Sequence, residues 1–298
     1  MSDPSLTSDR YAIVGNPVAH SKSPEIHAAF ARQTAQHLVY DRIFCELGAF
    51  AETVRRFQAE GGKGLNITLP FKHQAYACAT RKSARAELAG AVNTLAFNAS
   101  GNAGAADAAG DNTDGAGLTR DISVNLGYPL RGKKVLLLGA GGASFGVAGP
   151  LLNEAPRVLV IANRTLSKAQ ALVQRFAKLS AGCDMSASPY AALGAFAGLK
   201  FDVVINATSA GLSGDMPALP QNLFAPGALA YDMVYGKTTP FMQFARACGA
   251  SGVQIADGLG MLVEQAAESF LIWRGVRPAT APVIAALRSE LSGLRARA

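Results

Sequence analysis

Four apolar residues, Val135–Leu138, run without a break into Gly139-Ala140-Gly141-Gly142-Ala143-Ser144. A buried strand that ends in glycine and turns at once into a helix constrains this chain more than any other feature. Such a turn lets backbone N–H groups approach a pyrophosphate, and the helix N-terminus adds a positive field. Ser144 replaces the third glycine of the usual G-x-G-x-x-G, and a purely structural tight turn is the alternative. The next strand, Arg157–Ala162, ends in Asn163-Arg164-Thr165, with Lys168 close behind. A carboxylate for a ribose 2′-hydroxyl usually stands at this strand end. Arg164 and Lys168 stand here instead, which suits a 2′-phosphate and favours NADP over NAD. The plainer alternative is a solvated start to a helix.

The rest of the chain repeats the alternation of strand and helix. Tyr11–Gly15, Leu38–Phe44, Gly64–Leu69 and Ala91–Phe97 read as strands. Pro24–Gln36, Phe50–Gln58 and Ala75–Leu88 read as helices between them. After a small-residue loop at 98–110, a helix is expected near Ala116–Leu126. Phe201–Asn206 and Ala228–Met233 are later strands, and Gly260–Trp273 and Ala281–Arg297 are closing helices. The rhythm predicts an α/β protein with mostly parallel sheets. At roughly 100–200 residues per domain, 298 residues make one large domain or two ordinary ones.

Composition excludes several classes. Hydrophobic residues at 49% and charged residues at 16% rule out a disordered chain. No apolar run approaches the ~18–20 residues of a membrane span. The start, MSDPSLTSDR, does not read as a secretory signal, so a cytoplasmic protein is expected. The net charge of +7 comes from scattered residues without aromatic interleaving, a pattern for anionic metabolites rather than nucleic acid. Cys45, Cys78, Cys183 and Cys248 lie far apart, and His20, His27, His37 and His73 lack metal-ligand spacing, so no metal or disulfide is expected.

Three further segments carry candidate chemistry. In Asn66-Ile67-Thr68-Leu69-Pro70-Phe71-Lys72, Asn66 and Thr68 share a strand face and Lys72 falls just past the strand end. An ordinary surface lysine is the alternative. In Gly110-Asp111-Asn112-Thr113-Asp114-Gly115, Thr113 or Asp114 suits a helix cap, and the two carboxylates, three residues apart, lack the further ligands a metal needs. Ser21 and Ser23, before Pro24, form a carboxylate cradle or a helix cap.

Together these segments resemble the shikimate dehydrogenase family, in its NADP-dependent, bacterial biosynthetic form. The resemblance rests on GNPVAHSKSP, GGKGLNITLPFK, AGAVNTL, GDNTDG, LLLGAGGAS, NRTLSK, INATSAG, YDMVY and DGLGMLVEQAA, in the family's order over nearly the whole chain. Two departures stand out: Phe145 occupies a position where relatives often carry a basic residue, and the 98–110 loop is unusually rich in small residues. The resemblance implies a substrate domain, 1–113 with 258–298, and a Rossmann-type NADP-binding domain, 114–257, with the active site in the cleft. It implies reversible NADPH-dependent reduction of 3-dehydroshikimate to shikimate, towards aromatic amino acids. Lys72 and Asp114 become the catalytic pair. Ser21 and Ser23, with Tyr235, take the substrate carboxylate. Asn66, Thr68, Asn93, Asp114 and Gln265 take the ring hydroxyls and keto oxygen. Gly139, Ala140, Gly141, Gly142, Ala143 and Ser144 hold the pyrophosphate, and Asn163, Arg164, Thr165 and Lys168 the 2′-phosphate. Thr208, Ser209, Met233 and Gly258 lie towards the nicotinamide. A monomer or homodimer is expected. A quinate/shikimate enzyme of broader cofactor use is the near alternative. SKSP and NTDG argue against a methylene-tetrahydrofolate dehydrogenase, and the presence of Lys72 and Asp114 argues against a non-catalytic ligand sensor.

Overall fold

The computed structural model describes residues 8–97, 107–196, 200–208, 216–248 and 251–295. The chain forms two compact units, Met1–Asp114 with Val263–Leu287, and Gly115–Leu262 with Arg288–Ala298. Among the described residues no helix is long and apolar enough to cross a membrane.

The first unit contains β1 (Asp9–Gly15), α1 (Ser23–Gln33), β2 (Leu38–Phe44), α2 (Phe50–Ala59), β3 (Gly62–Ile67), α3 (Lys72–Cys78), β4 (Arg81–Lys82), α4 (Ala84–Ala89), β5 (Thr94–Phe97) and β6 (Ala108–Asp111). Its sheet runs β2-β1-β3-β5-β6-β4. β5 is antiparallel to both β3 and β6, and the other pairs are parallel. β1 and β3 are central and buried, which suits the apolar run Tyr11–Val14 of β1. One face holds a core of Val14, Leu65, Ile67 and the stacked rings of Phe50 and Phe71, 5.2 Å apart.

Two sequence expectations change here. The helix expected over Ala75–Leu88 is two helices separated by β4. Ser83 ends the strand by accepting the Ala86 N–H at 3.2 Å and so caps α4, while Arg81 and Lys82 pair with Ala109 and Gly110. The loop expected at 98–110 contains the start of β6, and its first nine residues lie outside the described residues.

The second unit contains α5 (Asp114–Arg120, from its second residue), a π-helical turn (Asp121–Asn125), β7 (Lys134–Leu138), α6 (Gly142–Asn153), β8 (Val158–Asn163), α7 (Leu166–Phe176), β9 (Asp184–Pro189), β10 (Phe201–Asn206), β11 (Phe224–Asp232), α8 (Pro240–Ala247) and β12 (Gln254–Asp257). All its strands are parallel, in the order β12-β11-β10-β7-β8-β9. This is the doubly wound Rossmann order, whose direction reverses between β7 and β10, and ligands bind beyond the strand C-termini at that point. β9 and β12 went unread in the sequence because DMSASP and QIAD lack an apolar run. Two last helices follow, α9 (Leu259–Arg274) and α10 (Ala281–Arg295), and the division between units falls within α9 after Leu262.

In the first unit, the fully buried His27 of α1 lies flat on Tyr40 of β2, with ring centroids 4.3 Å apart and planes 7° apart. Burial pushes its imidazole down to about 3. The unfolded chain, with an ordinary value near 6.5, binds a proton first on acidification, so stability is lost as pH falls below that value. Between pH 7 and pH 5 this one group costs about 2 kcal/mol of folding stability. Urea unfolding at the two pH values is expected to show His27→Gln losing correspondingly less than wild type; equal losses would remove His27 as the cause.

Candidate active site

In the first unit, β3 ends at Ile67, and Pro70 steers the chain into α3, whose first residue is Lys72. Lys72 Nζ lies 2.6 Å from Asp114 Oδ2. The two side chains keep 28% and 12% exposure, enough for a ligand to reach an ion pair otherwise enclosed by protein. The turn before Asp114 is set by Asn112, whose Oδ1 accepts the Asp114 N–H at 3.2 Å and whose Nδ2 donates to Ala91 O at 3.1 Å. The capping role considered for Thr113 or Asp114 therefore falls to Asn112, leaving the Asp114 carboxylate to Lys72.

Asn93 orients that carboxylate. Its Nδ2 donates to Asp114 Oδ1 at 2.8 Å, Thr113 Oγ1 at 2.9 Å and Gln265 Oε1 at 3.3 Å. Its Oδ1 accepts the Thr113 N–H at 2.8 Å. Asn66 joins the same cluster, donating to Asn93 O, Thr94 Oγ1 and Ser269 Oγ at 3.0–3.2 Å. Thr68 follows β3 half-buried, its methyl against Gly15. Ser21 Oγ accepts the N–H of Ser23, the first residue of α1, and donates to Ser23 Oγ at 3.2 Å; Lys22 at the N-cap makes no side-chain cap. Arg42 of β2 holds the Ser21 carbonyl through two N–H groups, at 2.5 and 2.9 Å. Lys72, Asp114, Asn93, Gln265 and Asn66 are thus brought together, and Ser21 pairs with Ser23. Tyr235 lies half-buried beyond β11 in the second unit.

Sequence reasoning missed Thr94, Ser269, Tyr40 and Arg42. Ser269 lies one helical turn from Gln265 on α9, a signal that could have found it. Tyr40 and Arg42 share a face of β2 but belong to no motif, and only pairing with β1 brings them to the N-terminus of α1.

In the second unit, the C-terminal ends of β7, β8 and β9 open onto a cavity of about 900 Å³. Gly139, Ala140 and Gly141 line it, with Asn163, Arg164, Thr165, Lys168 and Thr208. Gly139 has φ +104°, which disfavours a side chain, and a Cβ there would also meet Ala207 O at 3.2 Å. A Cβ on Gly141 would project into open space. No side chain caps α6, so its first N–H groups stay available to an anion. Arg164, Thr165 and Lys168 are exposed, and no carboxylate lines the cavity among the described residues. Glycine turn, free helix amides and cations fit a dinucleotide with an added phosphate.

Other expected cofactor residues stand apart from this lining. Ser144 is fully buried and donates to Gly139 O at 2.8 Å, so it braces the turn. Gly142 and Ala143 open α6 behind Gly141. Gly258 lies against Met233, where a Cβ would sit 2.2 Å from the Met233 carbonyl oxygen. Ser209 lies outside the described residues. Pro189, Tyr190 and Met216 line the cavity without having been expected. Among the described residues no three His, Cys, Asp or Glu side chains converge as metal ligands.

The Rossmann order with its glycine turn defines a dinucleotide-binding α/β protein, and the other unit equips it with a Lys–Asp pair amid hydroxyls and amides. Family models match the chain as a shikimate dehydrogenase substrate binding domain over residues 13–95 and a shikimate/quinate 5-dehydrogenase domain over 123–213. A shikimate 5′-dehydrogenase C-terminal domain matches over 258–288. The shikimate dehydrogenase (NADP(+)) of Alkalilimnicola ehrlichii is 58% identical over 95% of this chain and 99% of its own. The crystal structure of an Ael1 enzyme from Pseudomonas putida is similar with TM-score 0.85 and 48% identity, covering 94% of this chain and 98% of that one. Shikimate 5-dehydrogenase from Thermus thermophilus, in complex with NADP(H) and shikimate, aligns with TM-score 0.79 and 32% identity, over 94% of this chain and 99% of that one. The chain belongs to the shikimate dehydrogenase family.

A chain of ion pairs braces the first-unit site. Arg85 donates to both Asp111 oxygens, at 2.6 and 2.9 Å, and to Glu268 at 3.0 Å. Arg277 joins Glu268 to the fully buried Glu264 carboxylate. Burial alone would raise the Glu268 carboxyl, but Arg277 and Arg85 override it and hold it below the usual carboxylate value. The brace ties the strand leading to Asp114 to the helix carrying Gln265. Arg85→Met leaves Asp111 without its guanidinium and is expected to cost about 2 kcal/mol, a buried-pair loss discounted for partial exposure. Urea unfolding at pH 7 measures it, and a loss too small to resolve would deny the brace its role.

Proposed function

We propose that this protein catalyses the reversible reduction of 3-dehydroshikimate to shikimate with NADPH, a step towards aromatic amino acids. The observation that carries this reading is the Lys72–Asp114 pair at 2.6 Å within a cluster of neutral amides and hydroxyls. The relatives' names and the fit of the second unit's cavity to a phosphorylated dinucleotide support it. NADP, when bound, supplies or accepts the hydride.

A hydride added to a ketone carbon leaves an alkoxide on its oxygen. The Lys72 ammonium stabilises that charge and delivers the proton, and Asp114 keeps the ammonium in place. In the oxidation direction the proton returns from the substrate hydroxyl to Lys72. Ser21 and Ser23, with Tyr235, bind the carboxylate. Asn66, Thr68, Asn93, Asp114 and Gln265 meet the hydroxyls and keto oxygen. A small polyol requires such a set, because a hydroxyl buried without a partner costs about 1–3 kcal/mol. On the cofactor side, Gly139–Ser144 hold the pyrophosphate and Asn163, Arg164, Thr165 and Lys168 the 2′-phosphate. Thr208, Ser209, Met233 and Gly258 serve the nicotinamide half. The substrate domain comprises 1–113 with 258–298, and the NADP domain 114–257. The enzyme works in the cytoplasm as a monomer or homodimer, and its positive charge serves anionic substrates rather than nucleic acid.

The first test crosses shikimate and quinate with NADP and NAD, read at the reduced-nicotinamide absorbance band. Turnover of shikimate with NADP is expected, and Lys72→Met is expected to lower kcat by about 10²–10⁴-fold while the shikimate KM stays within a few-fold. A folded wild type inactive in every combination refutes the reading, and an unchanged kcat in the variant removes Lys72 from the chemistry. Arg164→Ala is expected to raise the KM for NADP roughly tenfold and leave that for NAD alone, through loss of a charge-assisted phosphate contact. Equal rises for the two cofactors would contradict the 2′-phosphate assignment.

A further inference from the structure

We infer that Tyr40 is a positioning residue of the substrate site: its buried hydroxyl donates to Asn66 and determines which atom of Asn66 a substrate meets. The inference rests on the shikimate reading above and deepens it. Tyr40 Oη lies 2.7 Å from Asn66 Oδ1, and both residues are buried. The orientation of the Asn66 amide follows from its other contacts. Nδ2 lies 3.2 Å from the Asn93 carbonyl oxygen, which can only accept, so the N–H group and not the oxygen faces it. Oδ1 therefore faces the phenol, and the phenol donates. Burial raises the Tyr40 phenol well above its ordinary value, and the Ser23 hydroxyl works the other way. Ser21 in turn donates to Ser23.

A directed chain of donors results. It runs from Tyr40 to Asn66 and from Asn66 Nδ2 to Thr94 Oγ1. Ser269 donates to Gln265 O at 3.0 Å, and Thr94 donates to Asn93 Oδ1 at 3.0 Å. Asn93 then donates to Asp114, the partner of Lys72. The phenol is thus linked through Asn66 and Thr94 to the Asn93 amide that faces Asp114.

The chain also limits what Asn66 can do. Both its N–H groups are committed, one to Asn93 O and the other shared between Thr94 and Ser269. Only the second lone pair of Oδ1 is left for a ligand. Asn66 therefore accepts a hydrogen bond from a substrate hydroxyl and offers nothing to a carboxylate. Without the phenol, Oδ1 loses the donor that holds it. Asn93 is pinned independently by the Thr113 N–H, so the disturbance stays at Asn66 and affects binding more than the Lys72 step.

Tyr40→Phe removes the hydroxyl and keeps the ring stacked on His27. Trp273 is the chain's single tryptophan, and its ring centroid lies 6.3 Å from that of Tyr40, so its fluorescence reports equilibrium binding beside the steady-state assay. Tyr40→Phe is expected to raise the Kd and KM for shikimate about fivefold, with kcat within about twofold and the KM for NADP unchanged. In an Asn66→Ala background the same substitution is expected to change none of them. An unchanged shikimate Kd, or the same rise in both backgrounds, overturns the inference. Asn66→Ala alone gives a second reading that does not depend on Tyr40→Phe folding. It is expected to weaken shikimate and spare 1-cyclohexenecarboxylate, which has the ring and carboxylate without hydroxyls. Equal weakening of both ligands overturns the acceptor assignment. A wild type that neither binds nor turns over shikimate refutes the underlying functional reading instead.

Discussion

A buried primary amide must satisfy one acceptor and two donors without water, and in the first unit Asn93 does so entirely with site residues. Its oxygen is pinned by the Thr113 N–H, so its nitrogen has to face Asp114, Thr113 and Gln265. That single orientation sets the Asp114 carboxylate, and through it the Lys72 ammonium 2.6 Å away. Asn66 repeats the same logic one strand over, with the Asn93 carbonyl as its fixed acceptor. The ionic brace from Arg85 to Glu264 acts outside this neutral cluster. It holds α9 against the strand that delivers Asp114 and leaves the neutral cluster uncharged, apart from the Lys72–Asp114 pair.

The second unit solves a different problem. Its ligand side is built from backbone N–H groups and exposed cations rather than side-chain amides. The parallel sheet places three strand ends around one cavity, and Gly139, at φ +104°, turns the chain there into an uncapped helix. Arg164 and Lys168 add positive charge at the exposed rim, where it costs little to keep solvated. The two units therefore differ in kind. A hydroxylated ring calls for many short, directional, neutral contacts, and a phosphorylated dinucleotide calls for charge and backbone access.

Much of both sites was legible in the sequence, for local reasons. The VLLL–GAGGAS step forces a strand, a turn and a helix within a few residues, so the cavity's glycine edge could be placed directly. Lys72 followed from a strand stopped by proline, and the basic strand end followed from the absence of a carboxylate at Asn163-Arg164-Thr165. Boundaries were harder. Ala75–Leu88 has helical composition throughout, yet Ser83 caps a new helix and β6 recruits Arg81 and Lys82 into a strand, a pairing with residues 109 and 110 that no local pattern shows. The polar strands β9 and β12 escaped notice because their support comes from a neighbouring strand and not from their own apolar content.

The sequence by itself determined the strand–helix alternation, the glycine turn, the basic 2′-phosphate candidates and the place of Lys72 just past a strand end, since each depends on residues within one or two turns of chain. Only the tertiary structure decided that Lys72 and Asp114 touch, that Ser269 and Gln265 from α9 complete the Asn93 cluster, and that Tyr40 lies behind Asn66. Those contacts join residues from 26 to 203 positions apart. Their geometry is set by strand order and by the pairing of buried amides and hydroxyls with one another, neither of which is written in any short stretch of sequence.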